Sequence, residues 1–174
     1  MAVYPIYKSR HAGANLEAAQ ETPIPQSEKY SWDWFQQPDA QPVEGQANIE
    51  LTTAERPLML TESENEEKPY VWSILLVAQE TNGVSFTMEK ITEVYFNNEK
   101  LPMQTTEMTA NEIEWYWYST RLEAGGMTSY ATDRPADGGI GYGVAVEGKD
   151  DNGNELTFKL YSLSYTGIEQ KAGA

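Results

Sequence analysis

An unbroken run of four aromatic residues, WYWY at positions 115–118, is the part of the chain best suited to contact a ligand. Aromatic rings offer broad apolar faces, and a flat platform of rings beside carboxylates and amides is what a carbohydrate-binding module presents to the C–H faces of sugars. The run lies in the segment Glu112–Arg121, which we expect to form a β-strand. The sequence therefore suggests an aromatic platform for glycans.

Alternation along a strand determines which of these rings can reach a ligand. Successive side chains point to opposite faces, so Trp115 and Trp117 share a face with Ile113, whereas Tyr116 and Tyr118 share the other. Because Ile113 is apolar, we expect its face to be buried, which leaves Tyr116 and Tyr118 as the candidate ligand-binding residues. The alternative is that both faces are core, since large aromatic side chains dominate core burial.

A second aromatic cluster, SWDWFQQP at positions 31–38, contains Trp32, Trp34 and Phe35. We expect these rings to attach the N-terminal part of the chain to the folded part, because large aromatic side chains contribute chiefly through burial. A ligand-binding role for Trp32 is the alternative.

A third candidate is the acidic and amide-rich loop DDNGNE at positions 150–155. Its side chains at Asp150, Asn152 and Asn154 match the first three ligand positions of a calcium-binding loop of the EF-hand type. The match then ends, because the sixth position is not glycine and the twelfth is not glutamate. The Asn-Gly pair in this loop predicts a hairpin with a type I′ turn, and we favour the hairpin over a metal site.

Other chemistries lack the residues that they require. The chain of 174 residues has no cysteine and a single histidine, His11, which excludes thiol nucleophiles, disulfides, cysteine–zinc sites and histidine-rich metal sites. It has no Gly-x-Ser-x-Gly elbow, and its glycine-rich stretch at 138–143 is not followed by the helix pattern of a phosphate-binding loop. We therefore expect a protein that is not an enzyme and has no cofactor.

The charge balance limits the choice of partner. Asp and Glu number 27 against 12 Lys and Arg, and the resulting net charge of −15 repels phosphate backbones, so we expect no nucleic-acid partner. The acidic run Glu62–Glu67 is interpreted as a solvated linker, because like charges repel and extend a chain. The longest apolar run, Ile74–Ala78, is too short to span a bilayer.

Composition divides the chain near residue 69. Seven of the nine prolines lie in the first 69 residues, and sheets tolerate proline only at edges and ends, so this part is predicted to be an irregular, acidic extension. Within it, we predict a short helix at 14–20 and a strand at 48–53 with Ile49 and Leu51 inward. We expect the extension to pack on the rest of the fold or to complete it.

From Tyr70 onward, short alternating segments are separated by turn residues, which is typical of a β-sandwich. The predicted strands, besides the aromatic segment, are Tyr70–Gln79, Val84–Met88, Ile91–Phe96, Tyr142–Glu147 and Leu156–Tyr165. The first is apolar on both faces, as a central strand would be. The inward residues of the last are Leu156, Phe158 and Leu160, or, beyond a bulge, Tyr161, Leu163 and Tyr165. We therefore predict an all-β fold.

The stretch VEGKDDNGNELTFKLYSLSY, preceded by LEAGGMTSY and PADGGIGYGV, resembles the last strands of immunoglobulin-like sandwiches in secreted and surface proteins of Gram-positive bacteria. The resemblance extends over residues 70–166 and depends on turn residues. It implies an immunoglobulin-like antiparallel β-sandwich over residues 70–174, an extracellular location, and a non-catalytic domain used for binding, spacing or anchoring.

These expectations give one leading function and two alternatives. The leading function is that of a non-catalytic surface or secreted bacterial module with a binding or structural role, whose partner is a protein or a glycan. The first alternative is a carbohydrate-binding module. The second is a subunit of an assembly or filament, in which the N-terminal extension completes a neighbour's sheet. An extracellular or cell-surface location is expected, a cytoplasmic one stays open, and the oligomeric state is not predicted.

Overall fold

The structure is a computed structural model that describes residues 29–54, 60–62, 70–135 and 141–163. The helix predicted at 14–20 lies outside the described residues. In chain order the described elements are α1 (Trp32–Gln36), β1 (Ile49–Thr53), β2 (Leu60–Glu62), β3 (Tyr70–Glu80), β4 (Phe86–Phe96), β5 (Pro102–Thr109), α2 (Ala110–Trp117), β6 (Arg121–Leu122), β7 (Met127–Pro135), β8 (Gly141–Asp150) and β9 (Glu155–Leu163). Within those ranges, no helix has the length and apolar character needed to cross a membrane.

The smaller of the two sheets is built around β3. Strands β1 and β2 pair with successive parts of one edge of β3, and β7 pairs with its other edge, all antiparallel. The strand predicted at 48–53 is confirmed as β1, with Ile49 and Leu51 buried. The central position of β3 is also confirmed, but only its inner face is buried. On its outer face Leu75 is 42% exposed.

The larger sheet has the strand order β5-β4-β8-β9, and β6 pairs with β4 next to β5. The two strands predicted at 84–88 and 91–96 are one strand, β4. A β-bulge shifts the pairing of β4 with β8 between Met88 and Lys90 without ending it. Strands β8 and β9 form the predicted hairpin.

The inner faces of the two sheets pack against each other and share one hydrophobic core. Leu156, Phe158 and Leu160 of β9 belong to this core, whereas Tyr161 packs on the opposite face of the sheet. The first of the two alternatives for β9 is therefore confirmed. The predicted all-β class is also confirmed, since the described fold consists mostly of antiparallel strands.

The strand predicted over the aromatic segment is wrong. The segment begins inside helix α2 and ends in the two-residue strand β6. The Glu112 carboxylate accepts hydrogen bonds from the backbone N–H and the hydroxyl of Thr109, each at 2.8 Å, and so stabilises the first turn of the helix. Ile113 and Trp117, four residues apart, are both buried on the same side of α2. A helical period therefore determines which rings are exposed.

The outer face of the larger sheet is covered in part by residues 30–37. Phe35 of α1 is buried in a second cluster with three side chains of the sheet, Val94, Phe96 and Ala145. At the start of this segment, Lys29 and Tyr30 both donate hydrogen bonds to the Glu147 carboxylate on β8. The structure thus shows part of the proline-rich extension packed on the larger sheet, and another part, β1, paired into the smaller one.

Two glycines of β8 make room for these rings. A β-carbon at Gly143 would lie 2.7 Å from two atoms of the Phe35 ring, which is closer than van der Waals contact allows. A β-carbon at Gly141 would lie 2.6 Å from the Tyr161 hydroxyl and 3.0 Å from the Trp32 ring. The glycines at these two positions of β8 are therefore explained by the close approach of aromatic rings.

Two buried carboxylates occupy the end of the sandwich where β3 passes to β4. The first, Glu80, accepts hydrogen bonds from the N–H groups of Asn48 at 3.3 Å, Asn82 at 2.8 Å, Gly83 at 2.9 Å and Gly125 at 2.8 Å. Burial opposes ionisation of this carboxyl, but the four hydrogen bonds keep the pKa of Glu80 below its ordinary value.

The second carboxylate, Asp150, accepts hydrogen bonds from the N–H groups of Ala47 at 3.1 Å, Asn152 at 3.0 Å and Asn154 at 2.9 Å. Burial again opposes ionisation, and the hydrogen bonds again lower the pKa of Asp150. Ala47 directly precedes Asn48, whose N–H donates a hydrogen bond to Glu80. The start of β1 is therefore held by one carboxylate from each sheet.

Replacing Gly143 with Ala tests the packing of α1 on β8. We expect Gly143→Ala to lower the free energy of unfolding by about 1–3 kcal/mol, because the added methyl group overlaps the Phe35 ring. In a Phe35→Ala background the same substitution should cost much less. Urea denaturation of the four proteins measures both effects. An equal cost in the two backgrounds would show that the ring does not occupy the space above Gly143.

Candidate functional site

Helix α2 is anchored by one of its sides. Ile113 and Trp117 are fully buried, and the Trp117 ring stacks on Tyr130 with ring centroids 5.5 Å apart. Tyr116 is half-buried and meets Tyr130 edge-on at 6.1 Å. The Thr128 hydroxyl donates a 2.7 Å hydrogen bond to the Trp117 carbonyl and so ties the end of the helix to β7. These contacts fix the backbone from which the outer side chains of α2 extend.

Two large rings at the end of α2 are exposed to solvent, Trp115 in the last turn at 76% and Tyr118 directly after the helix at 86%. We refer to these two residues as the aromatic pair. Tyr118 is also the C-cap residue of α2, and its φ of 63° lies in the left-handed region. A residue with a β-carbon costs roughly 1–2 kcal/mol there, and glycine is the usual occupant. Helix stability therefore does not explain the tyrosine at position 118.

The helix changes two of the four orientation predictions for the aromatic run. Tyr118 is exposed and Trp117 is buried, as expected, but Tyr116 is half-buried rather than exposed and Trp115 is exposed rather than buried. The physical reason is the period of 3.6 residues in place of two. The sequence carried a signal for this, the capping pattern at 109–112, in which threonine is followed three residues later by glutamate.

Carboxylates contact the part of the chain that directly follows α2. Glu114 accepts a 3.0 Å hydrogen bond from the backbone N–H of Thr120, so its charge lies beside the residues that follow Tyr118. The guanidinium of Arg121 donates two hydrogen bonds to Asp151, at 2.8 and 2.9 Å, and one to Glu123 at 2.9 Å. These bonds raise the pKa of Arg121 and lower the pKa of both carboxyls.

Trp32 lies apart from this surface, on the outer face of the larger sheet. Its ring is half-buried and meets Phe96 edge-on at 5.3 Å and Tyr161 at 5.0 Å. The Lys100 ammonium lies 5.5 Å from the centre of the ring. The geometry agrees with an attaching role for Trp32, and its ligand-binding role stays a prediction.

The residues of the calcium alternative, Asp150, Asn152 and Asn154, form the turn of the β8–β9 hairpin. Both oxygens of Asp150 already accept hydrogen bonds from protein N–H groups, and the Asn152 side chain donates to the Gly45 carbonyl. Among the described residues, no three His, Cys, Asp or Glu side chains cluster as metal ligands would. The arrangement gives the calcium alternative no support.

The type I′ turn predicted for this hairpin is wrong. Gly153 has a φ of 83°, whereas Asn152 does not have the positive φ that a type I′ turn requires. The Gly153 N–H donates to the Asp150 carbonyl at 3.0 Å. The turn is therefore closed by a single glycine in the left-handed conformation.

A shallow depression of about 230 Å³ lies on the smaller sheet where β1 ends, and it is lined by Thr53, Ala54, Ser73, Ile74, Leu75, Ala131, Thr132 and Asp133. Here the Ser73 hydroxyl donates a 2.8 Å hydrogen bond to the Asp133 carboxylate. Serine nucleophiles are typically activated by a neighbouring histidine, and the described part of the chain contains no histidine. The depression therefore does not assemble a hydrolytic site from the described residues.

Comparison with known proteins shows a likeness of fold only. No protein-family model matches the chain, and no curated protein matches it. A solved structure of a Bordetella pertussis protein assigned as ApaA superposes with a TM-score of 0.52 at 11% identity, covering 72% of this chain and 99% of that protein. A second structure, a structural-genomics target, has a TM-score of 0.45 at 8% identity, covering 72% and 91% of the two chains.

Substitution of the buried ring of α2 should lower stability far more than substitution of the exposed rings. We expect Trp117→Ala to lower the free energy of unfolding by about 3–5 kcal/mol, because it empties a buried site. Trp115→Ala should change it by less than about 0.5 kcal/mol, and Tyr118→Gly should leave it unchanged or raise it by up to about 1 kcal/mol. Chemical denaturation measures all three. A large loss for Trp115→Ala would mean that the ring is part of the core.

Proposed function

We infer that this protein is a non-catalytic binding module and that the aromatic pair, Trp115 and Tyr118, is its contact surface. The observation that carries this proposal is the position of Tyr118, a large ring at 86% exposure on a left-handed residue. Folding would be served better by glycine at this position. Exposed aromatic residues on a fixed backbone are, in contrast, the residues that most often contribute binding energy at interfaces.

A non-catalytic role is supported by how the buried carboxylates are used. Three acids are buried among the described residues, and one of them, Glu93, accepts a 2.7 Å hydrogen bond from the Tyr142 hydroxyl. The oxygens of the other two, Glu80 and Asp150, are occupied by backbone N–H groups at the loop end of the sandwich. These carboxylates support the fold rather than a substrate.

We extend the proposal to the setting of the module. The two antiparallel sheets with a shared core are compatible with an immunoglobulin-like sandwich, and the turn sequences of β7 to β9 resemble such domains in Gram-positive surface proteins. We therefore assign the module to the cell surface or the secreted fraction of a bacterium. An assembly subunit, in which the partner is a second copy of this chain, is one outcome of the test below.

A glycan is a second candidate for the ligand. The specific observation in its favour is that Trp115, in the last turn of an anchored helix, and Tyr118, directly after it, are both exposed, with the Glu114 carboxylate beside the residues that follow them. Sugars bind to such sites by stacking on rings while their hydroxyls bond to polar neighbours. The platform of this hypothesis is thus Trp115 with Tyr118, not Tyr116 with Tyr118.

Binding to a combined glycan and peptide array tests the proposed function. The wild-type protein, the variant Trp115→Ala/Tyr118→Ala and the control Leu75→Ala, which removes an exposed apolar side chain on β3, are compared. Each ring should contribute on the order of 1 kcal/mol, so the double variant should lose at least about tenfold in affinity for every ligand bound at this surface. The control should bind as the wild type does.

Sedimentation of the same three proteins tests whether the partner is a second copy of this chain. A dimer that the double variant abolishes and Leu75→Ala preserves would identify a second copy as the partner. If the double variant binds the array ligands as tightly as the wild type does, the aromatic pair is not a contact surface. The same conclusion follows if the wild type binds no array ligand and is monomeric.

A further inference from the structure

The lysine side chains that the structure describes lie away from α2. The structure describes five lysine side chains, and each lies on or beside the outer face of the larger sheet: Lys29, Lys90, Lys100, Lys149 and Lys159. Three of them pair with carboxylates of the same face, and Lys100 and Lys159 lie over the rings of Trp32 and Trp34. These five lysines are therefore already engaged on a face that α2 does not share.

The end of α2 that carries the aromatic pair is negative. Within five residues of Tyr118 on either side, the chain holds the carboxylates of Glu114 and Glu123 and one cation, Arg121. That cation is neutralised twice over, by the bidentate contact with Asp151 and by the hydrogen bond to Glu123. No free positive charge is present among these described residues to balance Glu114.

The helix itself adds to this negative field. The C-terminal end of an α-helix carries a partial negative charge, which proteins commonly balance with Lys, Arg or His in the last turn. The last turn of α2 has no basic residue and contains Trp115 instead. A cation brought by another molecule would meet the helix end, a nearby carboxylate and an exposed ring face, and ring faces attract cations.

We propose that the aromatic pair binds a basic polypeptide segment, with an arginine or lysine side chain of the partner stacked on Trp115 or Tyr118. The proposal rests on the proposed function, since it names the partner of the same surface. Charge complementarity favours this partner over an anionic polymer, which the net charge of −15 repels. A neutral glycan is the competing ligand and is an outcome of the test.

The experiment compares two short peptides that differ only in charge. One alternates arginine with glycine, and the other has citrulline, which keeps the planar head group without its charge, in place of each arginine. The full chain is tested as wild type, as Trp115→Ala/Tyr118→Ala and as Leu75→Ala, by calorimetry at low and at high salt. None of these substitutions alters the net charge, so an effect of the rings is separated from general attraction to an acidic protein.

We expect the wild type and Leu75→Ala to bind the arginine peptide about tenfold more tightly than the citrulline peptide, and the double variant to lose most of that difference. Equal affinity for the two peptides, or no binding of either, would overturn the cationic partner while leaving the glycan and assembly outcomes of the proposed function intact. Unchanged binding of the arginine peptide to the double variant would overturn it as well, because only the net charge would then be attracting the peptide.

Discussion

The start of β1 is held by two buried carboxylates, one from each sheet, and the relative position of the sheets depends on this arrangement. Asp150 accepts the N–H of Ala47, and Glu80 accepts the N–H of Asn48, the next residue along the chain. A carboxylate is stable in such a place only when its oxygens are satisfied, and backbone donors satisfy both. Glu80 also binds the connection from β3 to β4 and the turn before β7, so one side chain links the segments that join the sheets.

A fold stabilised in this way leaves the two exposed rings at the end of α2 without a structural role. The interior rings of the helix pack between the sheets, and the rings of α1 pack on the far side of the larger sheet above two glycines. Trp115 and Tyr118 contribute to neither cluster and remain in solvent. Because rigidity comes from other parts of the molecule, the chain can place a ring on a left-handed residue, where stability alone would select glycine. A binding module requires such an arrangement, in which buried residues hold the fold rigid and exposed residues are left for contact with a partner.

Local patterns in the sequence were sufficient to predict β1, β3, β4, β8 and β9 and the β8–β9 hairpin, because alternation and turn residues act over a few positions, but they did not predict β5 or β7. The aromatic run was mispredicted because four rings in a row fit every period equally well. The deciding signals were Thr109 with Glu112 and the four-residue spacing of Ile113 and Trp117. The roles of Glu80 and the glycines of β8 could not be predicted, since they depend on groups brought together from distant parts of the chain. The exposure of Tyr118 was predicted, but for a strand rather than a helix end.

The most direct test of this account is the titration of the Glu80 carboxyl carbon by NMR, with amide exchange of Asn82, Gly83 and Gly125 followed over the same pH range. The hydrogen bonds keep the pKa of Glu80 below its ordinary value, so its stabilising contribution should be complete at neutral pH and lost only as the pH falls through this lowered value. We predict a carboxyl that titrates below the ordinary range of glutamate and three amides that lose protection together as it protonates. A carboxyl that titrates at or above the ordinary value, with amides that exchange independently of it, would contradict the account.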